Sequence, residues 1–251
     1  MIGLGTLVNV ATIVGGSAIG VLLGSRLPEK TNRTVTEALG LLTLVLAGLN
    51  LMSLNDQGFV TAAGQVGTFM IVIFAMLFGT ITGSLLGIER RLESFGGWLQ
   101  QRLSRGKSQS TEARERFITG YVDASLIFAI GPMAILGSIA DGTDHAPNTL
   151  IIKAILDGFA CIAFAASLGW GVAASSITVG LWQGLVTLVA AFAGAFIPGA
   201  MIAAITATGG VLMLAISLRL LNLKPIAVAD MLPALAFAPL LTWGVSAFFG
   251  N

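Results

Sequence analysis

The chain has 251 residues, of which 55% are hydrophobic and only 10% charged, with a formal net charge of +1. Ordinary soluble domains carry about 25% charged residues, and a globule of this size needs more polar cover than this chain supplies. Together with a mean hydropathy of +0.92, these figures exclude a soluble enzyme, a nucleic-acid binder and a disordered chain, and they indicate a polytopic membrane protein.

At about 20 residues per crossing, the apolar runs give an all-α bundle of eight spans, near 3–25, 37–53, 66–88, 119–140, 149–172, 175–197, 201–222 and 229–249. Seven spans plus a re-entrant segment fit the same runs. Span one follows Met1-Ile2-Gly3, which has no basic n-region, so no cleaved signal peptide is expected. It carries one polar residue in an apolar setting, Asn9, and a glycine face of Gly16, Gly20 and Gly24. The loop after it holds Arg26, Lys30 and Arg33. Span three repeats the glycine spacing with Gly79, Gly83 and Gly87. Such faces let helix backbones approach closely, within one chain or in a homodimer.

Residues 89–118 form a linker. Leu92, Phe95, Leu99 and Leu103 recur at helical spacing among charged residues, with Trp98 beside them. The pattern reads as an amphipathic helix on the inner leaflet, or as a solvated surface helix. Residues 104–113 read as a flexible continuation. This linker holds seven basic residues, Arg90, Arg91, Arg102, Arg105, Lys107, Arg114 and Arg116, and Arg219 and Lys224 flank the loop after span seven. Basic loops favour the cytoplasm. Eight spans place all three basic loops there and leave both termini, and the loop with Asp141, Asp144 and His145, outside.

Span four contains Asp123, Ser125 and then Gly131-Pro132. Proline removes a backbone donor, so the helix kinks or breaks near mid-depth, where freed carbonyls need a partner or a water-filled cavity. Asp123 sits at the cytoplasmic interface, where it faces Arg116, or else joins the path. Span five contains Lys153 and Asp157, four residues apart and able to pair on one helix face. Ionisable groups at such depth mark a functional pathway unless they form a structural ion pair. Cys161, in the same span, reads as a small buried residue. Span six carries Gln183, and span eight begins at Asp230; each serves either a neighbouring helix or a solute. Met201, Met213 and Met231 are dispersed and read as packing.

The single Cys and single His rule out an internal disulfide and make a metal centre of those ligands untenable. No cofactor, metal or catalytic residue is expected, and the chain is not expected to be an enzyme. At an offset of 170 residues, Gly24 aligns with Gly194, Pro28 with Pro198 and Gly40 with Gly210. That suggests inverted three-helix repeats, 1–88 and 175–250, flanking a central helix pair over 119–172, as in many secondary transporters.

Gly5-Thr-Leu-Val-Asn9, Gly120-Tyr-Val-Asp-Ala-Ser-Leu-Ile-Phe, Gly131-Pro-Met-Ala-Ile-Leu-Gly-Ser138 and Lys153-Ala-Ile-Leu-Asp157-Gly158 resemble the bacterial YqgA/YdfK-like family of uncharacterised membrane proteins. The resemblance covers nearly the whole chain and implies an integral inner-membrane protein. It supplies no substrate. This chain departs from the family pattern at Asp123, Ala129-Ile130 and Asp230, where the family carries Thr, Cys and Asn.

Two functional readings remain. One is transport or conduction of a small ion or polar solute through a path built from Asp157, Lys153, Gly131, Pro132, Asp123, Ser125, Asn9, Gln183 and Asp230. The other is a non-transporting scaffold or sensor that acts through the basic loop. The partners expected are the lipid bilayer, the solute and a second copy of the chain, with no nucleic acid.

Overall fold

The structure, a computed structural model, describes residues 2–25, 28–103, 110–130, 132–142, 148–193 and 198–249. All regular structure among these residues is helical. The longer helices are α1 (Leu4–Gly24), α2 (Glu29–Leu51), α4 (Gln65–Leu86), α5 (Ile88–Leu103), α6 (Thr111–Ala129), α8 (Asn148–Leu168), α9 (Gly171–Ala193), α10 (Gly199–Leu220) and α11 (Ala234–Phe249). The shorter ones are α3 (Gln57–Ala63) and α7 (Pro132–Gly142). Seven helices are long and apolar enough to cross a membrane; α6 and α7, bent by 64° at their junction, make an eighth crossing if the pair is one span. Phe192 is 90% and Leu85 84% exposed, side chains that hydrocarbon accommodates and water does not. The chain is a multi-pass, all-α membrane protein.

The chain divides into two compact units, Met1–Leu39 with Leu92–Ala195, and Gly40–Arg91 with Phe196–Asn251. Two of the three dividing points fall inside α2 and α5. Spans one to three, grouped as a repeat by the sequence, are therefore distributed over both units.

In the first unit, α1 lies along α8, and α9 packs on α1, α6 and α7. A Cβ on Gly16 would stand 2.3 Å from the Gly158 carbonyl oxygen, one on Gly20 2.3 Å from that of Ile162, and one on Gly24 2.2 Å from that of Ala166. Residue numbers rise together along the two helices, so α1 and α8 run parallel. At one end of the unit, Gly171 of α9 abuts the Phe117 carbonyl at the start of α6. At the other end, Gly142 of α7 abuts Thr187 of α9, and Asp141 meets Gly5 and Thr6 of α1. The α6–α7 pair thus extends from one end of this unit to the other.

In the second unit, α10 is mostly buried among α2, α3, α4 and α11. The segment after span two was read as a loop. It holds a 3-10 turn (Met52–Asn55) and α3, which Asp56 starts by accepting the Phe59 N–H at 3.0 Å. Phe59 is wholly buried and joins a core with Ile71, Ala75 and Ala238. Gly79 and Gly83 of α4 face the backbone of Ala234 and Asp230, whereas Gly87 packs on nothing and closes α4 in the left-handed region at φ 61°. Both glycine faces are therefore occupied by the chain's own helices. Asn50 donates to the sulfur of the buried Met213 at 3.1 Å.

Two further boundaries differ from the sequence reading. Helix α2 starts at Glu29, not near 37, because Arg33 and Glu37 pair across one turn at 3.0 Å and keep a polar helix going outside the apolar run. The segment 104–113 is not a linker throughout: Ser110 caps α6 by accepting the Ala113 N–H at 3.2 Å, and residues 104–109 lie outside the described residues.

Candidate functional site

The polar centre of the first unit is built on α8. Lys153 and Asp157, one turn apart, form an ion pair, and both are buried. Asp157 lies about 14 Å along α8 from its start, at 1.5 Å per residue. The Lys153 ammonium also stands 6.0 Å from the centre of the Phe128 ring of α6, a cation–π distance. Helix α1 adds Asn9, whose side chain donates to Gln183 Oε1 of α9 at 3.0 Å. Asn9 and Gln183 are wholly buried, yet Asn9 Oδ1 and Gln183 Nε2 have no hydrogen-bond partner among the described residues. One open acceptor and one open donor thus belong to a bonded amide pair on α1 and α9, and the close packing of α1 on α8 brings that pair near the ion pair. A buried polar group without a partner costs about 1–3 kcal/mol on the scale of protein mutations. A solute that offers a matching donor and acceptor recovers that energy.

A second polar layer lies one turn toward the start of α1. Gly3 begins that helix without a side-chain cap. Asp141, at the end of α7, supplies one: its carboxylate accepts the N–H groups of Gly5 and Thr6 at 3.2 and 3.3 Å and the Thr6 hydroxyl at 3.4 Å. The Thr6 hydroxyl is also 3.4 Å from that of Thr187 on α9. Asp141, Thr6 and Thr187 therefore lead toward Asn9 and Gln183, and those toward Asp157.

The family described as Protein of unknown function (DUF554) matches residues 4–243. The chain belongs to this family. Its relatives include "Uncharacterized protein YqgA" of Escherichia coli (strain K12), 29% identical over 246 residues that cover 98% of this chain and 99% of that protein. "Uncharacterized membrane protein YdfK" of Bacillus subtilis (strain 168) is 25% identical over 246 residues, 97% of each chain. No solved structure matches the chain. Neither relative's name states a substrate, so what a DUF554 chain does must be argued from its site.

In this DUF554 chain the structure joins four of the sequence-derived candidates: Asn9, Lys153, Asp157 and Gln183. Asp123 and Ser125 are buried on α6. The Arg116 guanidinium donates to the Ser167 and Ala166 carbonyls at 2.7 and 3.3 Å. Asp123 lies seven residues farther along α6, about 10 Å of helical rise. Gly131 lies outside the described residues, and Pro132 opens α7.

Asp230 belongs to the second unit and has a structural task there. It accepts the Glu89 N–H at 2.8 Å at the start of α5, while Glu89 accepts the Ala229 N–H at 2.7 Å and pairs with Arg219 at 2.6 Å. Each carboxylate caps the other's turn. Glu89→Ala is expected to destabilise the protein by about 2 kcal/mol, the scale of hydrogen bonds to charged groups. Glu89→Gln, which keeps an acceptor for Ala229, should cost less. Thermal unfolding of both variants in detergent measures the difference, and equal midpoints would remove the capping role.

Asp141 was read as part of an outside loop with Asp144 and His145. It is instead buried as the cap of α1, while Asp144 and His145 lie outside the described residues. The one signal for this was negative: nothing near Gly3 caps α1.

Proposed function

We propose that this protein is an inner-membrane transporter or channel for a small ion or polar solute, with both termini outside the cytoplasm and a route along the polar face that α1 shares with α8 and α9. The observation that carries the reading is the open acceptor of Asn9 and open donor of Gln183, fully buried beside Lys153–Asp157. The solute enters from the Asp141–Thr6–Thr187 layer, meets the two amides, and draws Asp157 or Lys153 out of their mutual pairing.

The parallel course of α1 and α8 supports the eight-span topology. Parallel helices need an odd number of crossings between them, and α2, α4 and the broken α6–α7 pair supply three. A re-entrant α6–α7 would leave two and would turn α8 antiparallel to α1. With basic loops favouring the cytoplasm, this reading has Arg116 and its basic neighbours on the cytoplasmic side and Asp141 on the other.

The test is flux through proteoliposomes of purified protein, screened with monovalent cations, anions and small neutral solutes. Asp157→Asn and Asn9→Leu are each expected to lower flux by at least about tenfold, equivalent to about 1.4 kcal/mol. If both variants carry every transported solute at the parent rate, the route is wrong.

A further inference from the structure

We infer that the first unit holds a binding site for one anionic phospholipid, in the cavity where α8 turns into α9. The cavity measures about 730 Å³, within the range of small-molecule sites. Its walls come from the last turn of α1, the end of α5, the start of α6 and the α8–α9 turn.

The lining combines two chemistries in one place. Among the described residues that line the cavity, Arg116 is the one charged side chain and none is a carboxylate. Its guanidinium is fixed by the last carbonyls of α8, Ser167 and Ala166, so the side chain is already oriented. A guanidinium has five N–H donors, and these bonds leave others for a phosphate, with which the planar fork pairs well. Ser176 and Ser25, whose hydroxyl donates to the Leu22 carbonyl at 2.9 Å, also line the cavity. Val21, Leu103, Ala165, Ala173 and Ile177 supply the apolar part of the wall. Leu103 and Ile177 are exposed on the surface that faces lipid, so that wall continues into the bilayer.

A free phosphate has no use for the apolar wall, and an apolar ligand has none for Arg116. A lipid with an anionic headgroup uses both. The surroundings agree. Trp98 and Trp170 are half exposed near this end, and Arg102 stacks over Trp98 at 5.6 Å. Tryptophan and arginine at helix ends mark the headgroup level. The buried face of α5 is Gly96, Gly97, Leu99 and Gln100, which leaves Phe95, Trp98 and Leu103 directed outward, the arrangement of a helix resting on a leaflet. On the proposed topology that leaflet is the cytoplasmic one, whose anionic lipids attract basic side chains.

The experiment quantifies phosphatidylglycerol and phosphatidylcholine of the same chain length retained by the full-length protein after exchange in mild detergent, read by native mass spectrometry. Phosphatidylglycerol should be retained at least about fivefold better, the value of about 1 kcal/mol per cationic side chain near the surface. Arg116→Gln should erase that preference. Because Arg116 also closes α8, a second variant, Ala173→Phe, fills the apolar wall and leaves the arginine in place. It should lower retention of both lipids. Equal retention of the two lipids by the parent overturns the proposal, as does parental retention in both variants. It is equally overturned if Ala173→Phe blocks solute flux while phosphatidylglycerol stays bound, because the cavity would then be the mouth of the solute route.

Discussion

Replacing Gly20 by leucine is expected to push α1 off α8 and to lower stability by about 3 kcal/mol, the upper end of the usual cost of overpacking. A Cβ at this position would lie 2.3 Å from the Ile162 carbonyl oxygen and 2.9 Å from the Ala165 Cβ. Both contacts are too short for any real pair of atoms, and the nearer one is backbone, which has no rotamer to change. Gly16 and Gly24 impose the same limit a turn above and a turn below, so α8 cannot tilt away at one point without opening the others. Small residues carry this burden in a membrane because lipid tails are as apolar as Leu, so burial drives little association of helices. Gly15, one residue from the seam, is exposed and has nothing within 4 Å of its hypothetical Cβ. Gly15→Leu is therefore the control and should unfold at nearly the parent temperature. Equal midpoints for the two leucine variants in a detergent melt would mean that the seam does not hold the helices together.

The second large effect belongs to Lys153 and Asp157. Removal of one member of a buried ion pair leaves an uncompensated charge, and such changes cost about 3–5 kcal/mol. Lys153→Met would leave the buried Asp157 carboxylate without its ammonium partner. Asp157→Asn would leave an ammonium beside the Phe128 ring. Each single variant should therefore melt well below the parent. The double variant removes both charges together and should recover most of the loss, since replacement of a whole buried pair is often close to neutral. Flux then separates structure from function. A purely structural pair predicts a double variant that is stable and transports normally. A pair that meets the solute predicts one that is stable and inactive.

The spans were legible in the sequence because a bilayer demands length and apolarity and little else. The Lys153–Asp157 pair was legible because helical spacing alone brings residues four apart together. The glycine spacing announced a seam but not its partner. Partners lie far away in sequence: Asn9 and Gln183 are 174 residues apart, and Gly5 and Asp141 are 136 apart. No local pattern encodes such distances.

Residues with two uses were misread for the same reason. An aspartate before Gly-Thr-Asp looks like a turn residue, and only the bare start of α1, with no cap of its own, hinted that Asp141 serves another helix. Asp230 looked like a polar intruder on a transport path because its partner, Glu89, lies 141 residues earlier in a different helix. Helix α3 was hidden because its seven residues are too few and too polar to show a periodic apolar face, although one buried phenylalanine anchors it.

The cap on α1 has a consequence for how the protein is made. Helix α1 is synthesised well before its partners: the carboxylate that finishes its first turn belongs to residue 141, and the surface that fills its glycine seam runs from Gly158 to Ala166. Until more than half of the chain has left the ribosome, α1 has open N–H groups at one end, an unpaired Asn9 in its middle and a bare seam along its length. A nascent α1 is therefore a client for whatever holds unfinished helices during insertion. A chain that stops before α8 is complete exposes those same features to quality-control proteases.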